Sequence, residues 1–173
     1  STGINNTATG ALALTINESS NNTANGGSAL RWNTIGHHNA AFGNGALRDN
    51  TEGNYNTAMG SNALATNTTG TNNTALGDHA DVAAVNLTNA TAIGYDAEVD
   101  ADNKIQLGNT SVASVNTSGA LTTGEVTYPN LDGMAGDVLI TDGLGNASWS
   151  NAATGPQGEP GDQGPAGADG AQG

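Results

Sequence analysis

Three histidines, a run of alternating acids and one out-of-place tryptophan are the residues of this chain whose types could carry chemistry. An imidazole works as a base or a metal ligand only with a partner held close to it. His37, His38 and His79 have no carboxylate or nucleophile at a spacing that recurs. His37 and His38 align with Asn54-Tyr55 and Thr71-Asn72, which places them in a turn. The chain has no cysteine, so thiolate nucleophiles, thiolate zinc sites and disulfides do not arise. Asp96, Glu98, Asp100 and Asp102 alternate, and on a strand all four carboxylates would share one face. Hard oxygens of that kind can bridge Ca²⁺, although a solvated face is the plainer expectation. Gly43-Asn44-Gly45 lacks a third glycine and a following helix, so it does not read as a nucleotide loop. Gly26-Gly27-Ser28-Ala29 does not continue as the Ca²⁺-binding nonapeptide of β-rolls would. The expectation is therefore no catalytic residue, no metal set and no cofactor. Trp32 stands apart, because the positions 17 and 34 residues later are Asp49 and Thr66 and the pattern does not ask for an indole. An exposed indole can stack on a sugar face. Trp32, His37 and His38 are thus the candidate ligand-binding residues, with a cell-surface glycan or protein as the receptor.

The elements that would position these residues must be built from an unusual composition. Leu, Ile, Val and Phe together number 26 of 173 residues, and aromatics are 3%. That is too little apolar volume for an ordinary core, so the chain is either disordered or ordered by repetition. A net charge of −13, with only 3 Lys+Arg, argues against nucleic acid as a partner. No apolar run approaches the roughly 18 residues of a membrane span, and the opening Ser1-Thr2-Gly3 has no signal-like stretch. A soluble piece of a longer protein is expected.

Repetition is present. Thr-Ala-x-Gly and its variants end at Gly10, Gly26, Gly43, Gly60, Gly77 and Gly94, at spacings of 16, 17, 17, 17 and 17. Two residues before each Gly stands Ala (Ala8, Ala24, Ala41, Ala58, Ala75, Ala92), and three after it another (Ala13, Ala29, Ala46, Ala63, Ala80, Ala97). Further glycines recur at Gly36, Gly53 and Gly70, near Asn33, Asn50 and Asn67. A period of 17 is too short for a helix pair and suits one coil of a parallel β-solenoid, with coils stacked about 4.8 Å apart. The Ala columns then face a narrow interior, the Gly columns make turns or close approaches, and the Asn columns can form amide ladders. Phe42, Met59, Leu76 and Ile93, between Ala and Gly, are expected to fill the wider interior; Thr9 and Asn25 hold that position in the first two copies.

The units Asn56-Thr57-Ala58-Met59-Gly60-Ser61-Asn62-Ala63-Leu64 and Asn73-Thr74-Ala75-Leu76-Gly77 resemble the head repeats of trimeric autotransporter adhesins. They are equally similar to repeats of bacteriophage tail fibres and related bacterial tail-fibre-domain proteins. The likeness spans about residues 3–98, with a longer unit here owing to the insertion around Asn67-Thr68-Thr69-Gly70. It implies a left-handed parallel β-roll with three chains side by side about one axis.

Beyond residue 98 the unit fades. Residues 105–107, 111–115 and 120–127 read as short strands, and 138–142 with 147–149 as a hairpin about Gly143-Leu144-Gly145-Asn146. Residues 137–150 also resemble a module found before the distal parts of tail-fibre proteins. At the end, Gly falls at 155, 158, 161, 164, 167, 170 and 173. Strict period three is the mark of collagen, since only Gly fits at the axis of three wound chains.

The expected organisation is all-β and fibrous: a β-solenoid over 1–98, an intertwined β connector over 99–153 and a collagen-like stalk over 154–173, as a homotrimer. The expected role is an adhesive, non-enzymatic segment of an extracellular fibre on a virion, injection particle or bacterial surface. Two rivals are kept. A Thr column (Thr7, Thr23, Thr57, Thr74, Thr91, broken at Ala40) suggests an ice- or crystal-binding solenoid. A glycan-degrading tailspike would need paired carboxylates, whereas residues 1–77 hold only Glu18, Asp49 and Glu52.

Overall fold

The computed structural model describes residues 3–116, 118, 121–123, 126–128 and 133–151, with backbone alone for 121–123 and 126–128. The Gly-X-Y tract lies outside the described residues. Two compact units divide at 115/116. Among the described residues there is no helix, and hence none long and apolar enough to cross a membrane.

The first unit is a parallel β-solenoid of about six turns at 17-residue spacing. Its main sheet stacks β1 (Thr7–Thr9), β2 (Thr23–Asn25), β3 (Ala40–Phe42), β4 (Thr57–Met59), β5 (Thr74–Leu76), β7 (Thr91–Ile93) and β9 (Ile105–Leu107) in chain order. A second small sheet pairs β6 (Asp81–Val82) with β8 (Glu98–Val99). Register is set by identity, so that Ala58 stands on Ala75 and Ala75 on Ala92. The stack runs one strand past the last full repeat, with Ile105 paired to Thr91 after only 14 residues. There Gln106 replaces the inward Ala, and its amide donates to Gly108 O at 2.9 Å.

From the second coil on, both Ala columns are buried as expected, with Ala24 to Ala92 and Ala29 to Ala97 essentially without exposure, whereas Ala8 in the end coil is exposed. The column beside them does not. Phe42, Met59, Leu76 and Ile93 are 41%, 47%, 47% and 37% exposed, so they do not fill the interior. The reason is elementary: neighbouring residues on a strand point to opposite faces. With the central Ala inward, the residue after it must point out.

The wider interior is filled by Leu30, Leu47 and Leu64, which are fully buried. Their backbones are left-handed, with φ of 48°, 50° and 51°. Such a conformation costs roughly 1–2 kcal/mol for an L-residue. Burying the leucine side chain contributes about 1.5–3 kcal/mol, so packing wins by a thin margin. In the last two copies Asp81 and Glu98 replace Leu, and the strand residues Val82 and Val99 take over the interior.

Two asparagine columns close the corners. Asn33, Asn50 and Asn67 each donate an amide N–H to the Oδ1 of the column residue one coil before, at 2.7, 2.8 and 2.9 Å. In the second column the side-chain Oδ1 of Asn22, Asn39 and Asn56 accepts the backbone N–H of the next member at 2.9–3.0 Å. Both columns also donate to one backbone carbonyl per coil: Gly53 O accepts from Asn39 and Asn50 at 2.8 and 3.0 Å. The interior thus hydrogen-bonds its own polar atoms, which burial demands. It also explains the glycine there, since a Cβ at Gly53 would lie 2.3 Å from Asn50 Oδ1 and 2.4 Å from Gly70 O.

The second unit contains two antiparallel hairpins, β10 (Leu121–Thr123) with β11 (Val126–Tyr128) and β12 (Asp137–Thr141) with β13 (Ala147–Asn151). The turn of the latter is tied by Asp142, whose carboxylate accepts from Leu144 N–H, Asn146 N–H and the Asn146 amide. Residues 111–115 form no strand, contrary to expectation. Asn109 captures that backbone instead, accepting Ser111 N–H through Oδ1 and Val112 N–H through its carbonyl.

Candidate functional site

The solenoid presents residues in columns, so a site can be built only where a column changes identity. One corner column adopts left-handed φ at Asn5, Asn21, His38, Tyr55, Asn72, Asn89 and Asn103 (55–62°). Asparagine tolerates that conformation because its side chain can hydrogen-bond locally. In the middle of the stack two aromatics replace it. His38 and Tyr55 stack with centroids 4.9 Å apart and planes 19° from parallel. The His37 ring meets them both edge-on, at 5.1 and 5.2 Å. His37 Nδ1 and His38 Nδ1 are 2.9 Å apart, so one ring carries the proton that the other accepts. Backbone bonds fix the pair: Asn54 Oδ1 accepts His37 N–H at 2.9 Å and His37 O accepts Tyr55 N–H at 3.1 Å. Tyr55 is 53% exposed, so the group offers solvent an aromatic face flanked by polar ring atoms.

Tyr55 was not among the residues expected from sequence. Its signal was its place 17 residues after His38. Trp32 was expected beside the histidines, but the ring cluster described above joins His37 and His38 to Tyr55 instead. Trp32 pairs with Arg31, whose guanidinium carbon lies 4.6 Å from the indole centroid. At 40% exposure Trp32 still reaches solvent.

The four alternating acids do not share a strand face. Only Glu98 and Val99 form the strand there. Asp96 belongs to another left-handed column with Asn62 and His79, at φ 55°, 52° and 56°. Asp100 holds Lys104 Nζ at 2.6 Å, and Asp102 accepts Thr88 N–H at 2.8 Å. No group of three His, Cys, Asp or Glu suited to a metal occurs among the described residues. A shallow concavity of about 290 Å³ lies over Asn62, Ala65, His79, Asp81, Asp96 and Glu98. In it, burial pushes the Asp81 carboxyl above its ordinary value, and the charge of Glu98, its partner on the neighbouring strand, adds to the rise. Hydrogen bonds from Val82 N–H at 2.8 Å and Thr66 N–H at 3.0 Å oppose the rise.

The outer sheet face carries two columns. One is Thr7, Thr23, Ala40, Thr57, Thr74, Thr91 and Ile105; the other is Thr9, Asn25, Phe42, Met59, Leu76, Ile93 and Leu107. From the third coil onward the second is an unbroken apolar ridge.

No family model matches the chain. A search of curated proteins likewise finds no significant match.

Proposed function

We propose that this chain is a structural and adhesive segment of a homotrimeric extracellular fibre, of the kind found in phage tail fibres and bacterial surface adhesins. The observation that carries the reading is the combination of a stacked, self-satisfied β-solenoid with a strict Gly-X-Y tract at 155–173. The first supplies a stiff rod whose seven main-sheet strands span about 29 Å at 4.8 Å each. The second requires three chains. The β12–β13 hairpin supports an intertwined connector, because Val138, Leu139 and Ile140 are 38–45% exposed on consecutive residues and so on both faces. A receptor, glycan or protein, would meet the irregular coils at Trp32, His37 and His38, and Tyr55 joins the proposed surface because its ring stacks on His38. In a tailspike a paired carboxylate would have to be free to act, yet Asp49 is held by Arg48 at 2.8 Å.

Imaging of the purified full chain tests this. A short rod with a thin tail is expected, and collagenase should remove the tail while sparing the rod. A globular particle would overturn the reading, as would a tail cut at once by any general protease. The outward Thr column keeps ice or crystal binding as a second reading, and thermal hysteresis decides it. The neighbouring outward column is Phe42, Met59, Leu76 and Ile93 instead of a second Thr array, which weighs against that reading.

A further inference from the structure

Resting on the adhesive reading, we propose that Arg31 and Trp32 form a subsite for an acidic sugar, with the carboxylate on the Arg31 guanidinium and the sugar ring against the Trp32 indole. The repeat supplies its own comparison. One coil on, the same two positions are Arg48 and Asp49, and the backbone ties the coils together there through Trp32 N–H to Arg48 O at 3.1 Å. Asp49 takes the Arg48 fork with both oxygens, Oδ1 accepting from Nε at 3.0 Å and Oδ2 from Nη2 at 2.8 Å. In the preceding coil an indole occupies the position of that carboxylate. The guanidinium carbon of Arg31 lies 4.6 Å from its centroid, within cation–π reach, so the side chain is held without being neutralised.

Arg31 is unsatisfied in two respects. Of the three cations in the chain, Arg48 is paired with Asp49 and Lys104 with Asp100, and Arg31 has no ion pair among the described residues. Its Nε is buried and has no hydrogen-bond partner. A buried donor left bare is costly, and more so on a charged group. The component missing from this coil is the planar anion that matches an arginine fork, as Asp49 does in the next.

Charge confines an anion to this end. Residues 1–48 hold Arg31 and Arg48 against Glu18, whereas the other 15 of the 16 acids follow residue 48. An acidic ligand is repelled along the later coils and meets the least repulsion at the coil of Arg31. The indole then selects among acids. At 40% exposure it offers solvent an apolar surface, which suits the C–H face of a pyranose. A uronate or a sialate joins its carboxylate directly to such a ring, so one sugar residue reaches both side chains. An acidic peptide carries its carboxylates on flexible stems with no ring face beside them.

Calorimetric titration of the full chain at low ionic strength tests this. The probes are a hyaluronan hexasaccharide as uronate, sialyllactose as sialate, the carboxyl-reduced hexasaccharide and lactose as neutral counterparts, and polyglutamate as acidic peptide. At least one acidic saccharide should bind about tenfold or more tightly than its neutral counterpart and than polyglutamate. Which one does so identifies the source of the carboxylate. Arg31→Gln and Trp32→Ala should each weaken that binding about tenfold or more. Trp32→Asp reproduces the arrangement of Arg48 with Asp49, and should abolish binding while leaving the thermal melt and the mass of the assembly unchanged. Lys104→Gln should bind as the parent does. Binding that survives Arg31→Gln or Trp32→Asp, an equal loss in Lys104→Gln, or polyglutamate bound as tightly as the saccharides overturns the subsite. If neither acidic saccharide binds while the parent adheres to its natural surface, the subsite falls and the adhesive reading stands. A parent that does not adhere overturns the adhesive reading, and the titrations then judge the subsite alone.

Discussion

Replacing Asn50 by Asp changes one amide nitrogen to oxygen and leaves the shape of the solenoid untouched. Asn50 is fully buried, and its amide donates to Asn33 Oδ1 at 2.8 Å and to Gly53 O at 3.0 Å. An ionised Asp would lose both bonds and set its charge against two oxygens. At about 0.5–1.5 kcal/mol per neutral hydrogen bond, the lost bonds alone cost roughly 1–3 kcal/mol. Burial without a cationic partner adds to this by raising the carboxyl pKa, at about 1.4 kcal/mol per unit. A total of roughly 3–5 kcal/mol per chain is expected at pH 7, the cost of an uncompensated buried charge. The sign of the pH dependence follows. The folded-state pKa lies above the unfolded value of about 3.9, so the protonated form, which can donate one bond, is favoured in the fold. The deficit relative to the parent should be smallest below about pH 4 and grow as pH rises through the folded-state pKa. Thermal melts of variant and parent at matched pH measure the gap. A variant that melts with the parent at pH 7, or a gap that ignores pH, would refute the buried amide ladder.

Gly60→Ala should be more damaging than any inward substitution by size, because φ is +143° and the new Cβ would lie 2.2 Å from Gly77 O; a loss of at least about 3 kcal/mol should appear as failure to melt cooperatively. Ala75→Leu overfills a column that is 1% exposed and should cost about 1–3 kcal/mol per chain, read as a lowered Tm. Asp81→Asn removes a carboxyl whose folded pKa is raised above 3.8 chiefly by burial. The parent's penalty is absent below its unfolded pKa and grows as pH rises through the folded one, so the variant should gain stability over the parent at neutral pH and lose that advantage in acid. Trp32→Ala and His38→Ala should each weaken adhesion to the natural surface without changing the trimer; unchanged adhesion in both would make this segment shaft instead of tip.

Columns of identical residues made the solenoid legible in the sequence. Ala58, Ala75 and Ala92 repeat because nothing larger fits, and Asn33, Asn50 and Asn67 repeat because each amide satisfies the next. Identity does not encode direction. Phe42 and its successors look like core by type, yet strand alternation turns them outward once Ala41 points in. The interior was filled by Leu30, Leu47 and Leu64 through a left-handed backbone that such residues rarely adopt. The acids from Asp96 to Asp102 look like a strand, but Asp96 sits in a corner column set by the residues stacked in the coils before it. The aromatic corner was half legible: His37 and His38 stood out as adjacent histidines, whereas the repeat aligned Tyr55 with His38 without encoding that their rings stack.

The mass of the folded full chain in dilute solution tests the central claim most directly. Native mass spectrometry should show one species at three times the 17.0 kDa chain, persisting on dilution until it unfolds. A folded species at 17.0 kDa, stable by itself, would contradict the account.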